Sequence, residues 1–165
     1  MTDPLVDQVP ARELVARLRV AGQTVATAES LTAGLLAATL AGVPGASTVL
    51  RGGLVVYATD LKAELAGVDP AVLAADGPVA ASTAEQLAAG ARLRCGADWG
   101  IGLTGVAGPD PQAGSPAGTV FLAISGADGT HAARLNIAGD RWAVRMGSVA
   151  AAIEAMRTRL AAAGA

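Results

Sequence analysis

Ser30 and Lys62 are the two side chains of this sequence best suited to covalent chemistry. Ser30 follows a short apolar segment, Thr24 to Ala28, and precedes a stretch that predicts a helix from about Leu31 to Ala41. A serine at a helix start lies where free N–H groups and the helix dipole favour negative charge, which suits a nucleophile that ionises as it reacts. The alternative is that Ser30 only caps this helix.

Lys62 is the only lysine among the twelve basic residues of the chain. Arginine stays protonated at any accessible pH, whereas a buried lysine can lose its proton and act as a general base. One lysine kept among arginines therefore indicates a role that arginine cannot fill, although a solvent-facing lysine without a role fits the sequence equally well. Tyr57, the only tyrosine, lies just before Lys62 and either shares a pocket with it or exposes its hydroxyl to water.

The residue inventory argues against several other chemistries. A single cysteine, Cys95, excludes an internal disulfide, and a single histidine, His131, makes metal ligation a poor interpretation. Twelve basic and fourteen acidic residues give a formal net charge of −2 with no basic cluster, which disfavours a nucleic-acid partner. The mean hydropathy is +0.46, yet no run of about eighteen apolar residues is free of charge, and the first ten residues do not resemble a secretory signal. We therefore expect no metal, no cofactor and no membrane span.

Helices alternate with strands along the first half of the chain, and a hairpin follows. The predicted helices are Ala11 to Ala21, about Leu31 to Ala41, Ala58 to Ala66, Ser82 to Leu93 and Arg141 to Ala163; the predicted strands are Thr24 to Ala28, Gly52 to Tyr57, Asp98 to Leu103, Thr119 to Ser125 and His131 to Ile137. Ser82 and Glu85 have the spacing of a capping box. Alanine makes up about a quarter of the chain and aromatic residues 2%, which favours closely packed layers. The pattern predicts a single-domain α/β fold, a three-layer α/β/α sandwich with a mixed sheet.

In such folds a ligand binds beyond the carboxyl ends of the strands. Three segments lie at such ends: Glu29 to Gly34, Tyr57 to Lys62 and Thr104 to Pro109. The last of these is only a weak phosphate motif, because it lacks the Walker lysine and does not match GxGxxG. Arg141 and Arg145, four residues apart at the start of the last predicted helix, either hold a phosphate or form a solvated helix face.

These segments together resemble the C-terminal domain family of the competence-damage-inducible protein CinA. The resemblance runs from about Arg12 to Leu160 and is carried by five motifs in the family's order: Ala26-Thr27-Ala28-Glu29-Ser30, Val43-Pro44-Gly45-Ala46-Ser47, Gly52-Gly53-Leu54-Val55-Val56-Tyr57, Thr104-Gly105-Val106-Ala107-Gly108-Pro109 and Gly139-Asp140-Arg141. Each motif is weak by itself, and their order and spacing make the set specific. The whole chain is therefore expected to be one such domain with its core at about residues 12–160.

Stand-alone members of that family hydrolyse the carboxamide of nicotinamide mononucleotide, and the resemblance implies the same reaction here. It aligns Ser30 with the nucleophile, Lys62 with the general base and Tyr57 with an assisting hydroxyl. The candidate substrate contacts are Thr32, Gly34, Thr104, Gly105, Gly108 and Arg141. The resemblance further implies a cytoplasmic homo-oligomer that needs no metal or cofactor.

The sequence departs from the family pattern at two places. The usual Glu-Ser-Cys-Thr-Gly-Gly has Leu31 in place of Cys and Ala33 in place of Gly, and the loop at residues 110–118 lacks the usual Gly-Gly and Lys-Pro. Ala33 adds a methyl group where the backbone is expected to approach a substrate. These changes keep open an alternative function, a nucleotide- or partner-binding module without turnover.

Overall fold

A mixed five-stranded sheet forms the middle layer of the structure, a computed structural model that describes residues 3–164. Its strands are β1 (Val25–Glu29), β2 (Leu50–Val55), β3 (Trp99–Gly105), β4 (Thr119–Gly126) and β5 (Gly129–Asn136). They lie in the order β2-β1-β3-β4-β5; β2, β1 and β3 are parallel, whereas β4 and β5 run antiparallel to their neighbours. The predicted mixed sheet is confirmed, and His131 lies in β5 as the sequence indicates.

Helices cover both faces of this sheet, so the predicted three-layer arrangement is confirmed. They are α1 (Ala11–Ala21), α2 (Leu35–Ala41), α3 (Thr59–Glu64), α4 (Pro70–Asp76), α5 (Ala81–Arg94) and α6 (Arg141–Ala162), with 3-10 turns at Val6–Gln8 and Ala46–Thr48. The helices α1, α2 and α6 share one apolar core with the sheet, whereas α5 packs on the other face with α3 and α4 beside it.

The closing helix α6 is amphipathic, and its inward positions are the ones that the sequence predicts. Val144, Val149, Ile153, Met156 and Leu160 are all buried. Burying such side chains contributes about 2 kcal/mol each to folding, which anchors the helix on the sheet. Within residues 3–164, no helix combines the length and apolar character needed to cross a membrane.

Glycines allow the backbone of α5 to rest directly on β3. A Cβ atom on Gly100 would overlap the Ala88 carbonyl oxygen, and one on Gly102 would overlap that of Ala84. Gly90 of α5 makes the same kind of contact on its other side, with the Ala66 carbonyl oxygen. The abundance of small residues thus has a packing role, because side chains would push these layers apart.

The structure corrects the predicted start of α5. Ser82 lies inside the helix, with Ala80 at the N-cap position, and its hydroxyl donates to Asp76 Oδ2 at 2.6 Å. The capping-box prediction is therefore wrong. The reason is an additional helix, α4, which ends at Asp76 and brings its carboxylate next to Ser82. The Ser82 hydroxyl donates to this carboxylate from within α5, where it has no N-cap role.

Candidate active site

A cavity of about 400 Å³ lies at the carboxyl ends of β1, β2 and β3. Because these three strands are parallel, the residues that follow them meet at one edge of the sheet. Ser30 N donates to Leu103 O at 2.9 Å, and Val56 N donates to Glu29 O at 2.9 Å, so the backbone beyond β1 is held between its two neighbours.

Seven of the nine predicted site residues line this cavity: Ser30, Tyr57, Lys62, Thr104, Gly105, Gly108 and Arg141. Thr32 and Gly34, by contrast, do not line it. Thr32 is fully buried, and the Gly34 N–H is already used in a 3.1 Å hydrogen bond to Glu29 Oε2. The structure therefore brings together residues at and just beyond the carboxyl ends of the three strands, and separates them from the later part of the turn after Ser30.

Lys62 is the largest polar side chain of the cavity that is almost completely buried, with 2% of its surface exposed. Nζ donates to Val56 O at 2.9 Å and Tyr57 O at 3.1 Å, with a longer contact of 3.5 Å to Ala58 O. Burial lowers the pKa of Lys62 from 10.5 to about 8, against the opposing charge of Asp60. The alternative of a solvent-facing lysine is wrong.

The geometry of Lys62 suits a base as well as an ammonium group. A neutral amine keeps two N–H bonds and one lone pair, and the two shorter carbonyl contacts match those two N–H bonds. The lone pair is then available to accept a proton from another group in the cavity. Since the pKa is about 8, a substantial fraction of the side chain is neutral near physiological pH.

Ser30 is not a helix cap, because α2 begins only at Leu35. Ser30 is 8% exposed, and its hydroxyl makes no hydrogen bond within residues 3–164. The N–H groups of Leu31 and Thr32 likewise have no acceptor in the described part of the chain. A free hydroxyl next to unpaired N–H donors is the arrangement that a nucleophile with an oxyanion site requires.

Glu29 takes the capping role that the sequence suggested for Ser30. Its carboxylate is fully buried; Oε1 accepts from Thr27 Oγ1 and Ala37 N, both at 2.9 Å, and Oε2 accepts from Gly34 N at 3.1 Å and Leu36 N at 3.0 Å. This role was not among the predictions from the sequence. The available signal was an acidic residue at the end of an apolar strand, directly before an apolar helix, where a carboxylate can accept from the free N–H groups.

The turn after Ser30 has two residues in the left-handed region, Ala33 at φ 50° and Gly34 at φ 91°. For alanine this conformation costs about 1 kcal/mol. Ala33 is exposed and does not line the cavity, whereas Leu31 does. The expected obstruction by the Ala33 methyl group is therefore not seen, and Leu31 is the departure from the family pattern that shapes the cavity.

Arg141 and Arg145 both donate hydrogen bonds to the chain itself, Arg141 from an exposed position and Arg145 from a half-buried one. Arg141 donates to Gly108 O at 2.7 Å and to the Tyr57 hydroxyl at 3.0 Å, which joins two sides of the cavity. Arg145 donates to Leu31 O at 3.0 Å and Thr32 O at 2.9 Å. Tyr57 is more than half exposed, so its hydroxyl lies at the rim of the cavity.

The remaining wall is the loop that follows Gly108. Asp110, Pro111 and Gln112 line the cavity, and a tight hairpin joins Gln112 to Ser115 through two backbone hydrogen bonds of 3.0 and 2.9 Å. Across the described residues, no three His, Cys, Asp or Glu side chains come together as a metal site would require. The polar side chains that line the cavity thus carry four hydroxyls, one amine, one guanidinium, one carboxylate and one carboxamide.

Residues 7–160 match the family model described as the CinA C-terminal domain. A CinA-like protein of Frankia casuarinae is 49% identical over 138 residues, which cover 84% of this chain and 32% of that protein. A CinA-like protein of Mycolicibacterium gilvum is 45% identical over 147 residues, covering 88% of this chain and 35% of that protein. The chain thus spans about a third of the length of these curated relatives.

Solved structures share the complete fold. The competence/damage inducible protein CihA of Agrobacterium tumefaciens superposes with a TM-score of 0.88 at 32% identity, covering 97% of this chain and 98% of that one. A competence-damaged protein (CinA) superfamily protein of Escherichia coli gives a TM-score of 0.86 at 30% identity, covering 91% of this chain and 87% of that one. Both comparisons cover more than nine-tenths of this chain.

Proposed function

The chain belongs to the CinA C-terminal domain family, and from that premise we propose that it is an amidohydrolase acting on nicotinamide mononucleotide. The products are nicotinate mononucleotide and ammonia, with Ser30 as the nucleophile, Lys62 as the general base and Tyr57 as an assisting hydroxyl. The proposal includes a cytoplasmic location and a homo-oligomeric state. Light scattering on the purified chain measures the oligomeric state.

One observation carries this proposal: the free hydroxyl of Ser30 and the buried amine of the only lysine line the same cavity. Burial favours the neutral form of Lys62, and the neutral form is the one that accepts a proton. A Ser-Lys pair needs neither a histidine nor a metal ion, and this composition provides one histidine, which lies in β5 away from the cavity lining.

In the first half of the reaction, Ser30 Oγ attacks the carboxamide carbon while Lys62 Nζ accepts the hydroxyl proton. The carbonyl oxygen gains negative charge, and the unpaired N–H group of Leu31, which lines the cavity, is the candidate donor to it. The protonated Lys62 then transfers its proton to the amide nitrogen, the C–N bond breaks, and ammonia leaves an acyl ester on Ser30.

In the second half, water takes the place of ammonia. Lys62 accepts a proton from the water as its oxygen attacks the ester carbon, and the resulting intermediate collapses. The ester C–O bond breaks, and the proton on Lys62 returns to Ser30 Oγ. The acid product carries one oxygen from water, and the enzyme returns to its starting state.

Substituting Ser30→Ala is expected to reduce ammonia release from nicotinamide mononucleotide by at least about 10³-fold, because the nucleophile is lost. A coupled ammonia assay measures the rate. The matched control is Ser125→Ala, since Ser125 is also buried but lies at the opposite end of the sheet. Ammonia release at the native rate by Ser30→Ala would contradict the proposal.

The rate is also expected to depend on pH through Lys62. Because the neutral amine is the active form, kcat/KM should rise with pH, with an apparent pKa near 8, and level off above it. The profile is measured with nicotinamide mononucleotide between pH 6 and 10, a range of about two units on either side of that value. A profile that falls through this range would be inconsistent with a lysine base.

The second candidate function is a binding module without turnover. It is favoured by Leu31, which fills part of the cavity beside Ser30, and by Asp110, which adds a carboxylate to the lining. Calorimetry with nicotinamide mononucleotide distinguishes the two functions: a binding heat without ammonia release supports the module, whereas sustained ammonia release excludes it.

A further inference from the structure

Arg145 lies behind the turn that carries Ser30. Its Nε donates to Leu31 O at 3.0 Å and its Nη2 donates to Thr32 O at 2.9 Å, so one guanidinium holds two successive carbonyl groups. The guanidinium also lies over the ring of Trp142, 5.9 Å from the ring centre. These contacts join the first turns of α6 to a segment more than a hundred residues away in the chain.

Together with backbone hydrogen bonds inside the turn, the two Arg145 contacts fix the orientation of each peptide plane after Ser30. Ser30 O accepts from Ala33 N at 3.0 Å, and Thr32 O accepts from Leu35 N at 3.1 Å in addition to Arg145. In a planar trans peptide, the N–H points opposite to the C=O of the same unit. Arg145 on Thr32 O therefore fixes the Ala33 N–H of the same peptide unit, which donates to Ser30 O. Holding Ser30 O in turn fixes the Leu31 N–H toward the opposite side.

The Leu31 N–H has no acceptor in the described part of the chain, belongs to a residue that lines the cavity, and has its direction fixed by these contacts. Buried N–H groups without partners are rare, because each one costs free energy unless an acceptor arrives. A cationic guanidinium on a carbonyl also polarises that peptide and strengthens its N–H as a donor.

We propose that Arg145 is a positioning residue that holds the turn after Ser30 so that the Leu31 N–H stays aimed at the oxyanion formed during attack by Ser30. This inference rests on the proposed function for its substrate, but not for its geometry. Lysine cannot replace arginine here, because a single ammonium lacks the planar fork that meets two carbonyl oxygens and stacks on Trp142.

The test compares Arg145→Met and Arg145→Lys with the native chain in two assays. The first measures kcat and KM for ammonia release from nicotinamide mononucleotide. The second measures the rate at which a fluorophosphonate ester labels Ser30: the Ser30 oxygen bonds to phosphorus, fluoride leaves and the hydroxyl proton goes to Lys62. The control is Arg159→Met, on the same helix, where the arginine pairs with Asp128 at 2.6 Å.

We expect both Arg145 variants to lose about 10- to 100-fold in kcat and in labelling rate, with KM changed less than threefold and the apparent pKa of the pH profile retained. Guanidinium ion at low millimolar concentration should restore part of the labelling rate in Arg145→Met, relative to matched sodium chloride. Losses no larger than those of Arg159→Met would overturn the proposal, as would a loss confined to KM.

The labelling assay keeps this inference separate from the proposed function. If the native chain labels at Ser30 but releases no ammonia, the proposed reaction fails, and the labelling ratio still decides the role of Arg145. If Arg145→Met does not fold, Arg145→Lys decides, because it retains one hydrogen bond and the positive charge.

Discussion

Lys62→Arg is expected to lose at least about 10³-fold in ammonia release, although charge and length are largely kept. Arginine cannot give up its proton near neutral pH, so Ser30 would have no base. Lys62→Met removes the amine altogether and should show a similar loss. Ser125→Ala is the control: it removes a buried hydroxyl at the opposite end of the sheet and should reduce the rate far less. Arginine at position 62 with activity within tenfold of native would rule out a lysine base.

Lys62→Met should also change how the free energy of unfolding depends on pH. The pKa of Lys62 in the folded chain is lowered from 10.5 to about 8, so between these values the unfolded chain holds a proton that the folded chain has lost. The free energy of unfolding should therefore gain a contribution as pH rises from about 8 to about 10.5. Urea titrations at several pH values should show this rise in the native chain and its loss in Lys62→Met. Identical pH dependence in both proteins would mean that Lys62 is not held in a site that disfavours its charge.

Glu29→Leu is expected to lower the free energy of unfolding by about 3–5 kcal/mol. The substitution leaves three backbone N–H groups and the Thr27 hydroxyl without their acceptor in a buried region. Glu29→Gln should cost less, because one amide oxygen still accepts. Urea denaturation monitored by circular dichroism measures both.

Glu64→Gln is the control for this series, since Glu64 is an exposed carboxylate at the end of α3. It should change the free energy of unfolding by no more than about 0.5 kcal/mol. A Glu29→Leu variant as stable as Glu64→Gln would show that the four hydrogen bonds contribute little. Because Glu29 positions the turn after Ser30, loss of ammonia release in Glu29→Gln should accompany its loss of stability.

Most of the layered fold can be predicted from the sequence, because its signals are local. The bounds of α1 agree at both ends with the helix predicted before Gly22, where a left-handed residue ends it. The buried positions of α6 follow from their spacing alone. By contrast, α4 was not predicted: it is a short helix with no fully buried residue, so apolar periodicity gives little indication of it.

For the candidate site, too, local sequence patterns predict some features and miss others. Ser30, Tyr57 and Lys62 were identified by residue type and strand ends, and they do line one cavity. Two features of the site were not predicted: the start of α2 at Leu35, and the side chains that hold the turn after Ser30. Both depend on side chains that bind backbone groups far along the chain. Glu29 binds N–H groups up to eight residues ahead, and Arg145 reaches a turn that no local pattern connects to α6.

The cavity is lined by two kinds of structure, buried residues at the sheet edge and the exposed loop at residues 110–115, and these differ in how readily they can change. Ser30 and Lys62 lie on buried backbone at the sheet edge, where most changes disturb packing. Asp110, Pro111 and Gln112 face the same cavity from an exposed hairpin, whose tip at Ala113 and Gly114 is open to solvent. Insertions and replacements there are tolerated far better than in the layers beneath. Changes in this hairpin can thus alter which molecules enter the cavity while the proposed Ser30–Lys62 pair stays the same, and libraries that diversify the hairpin alone would test this.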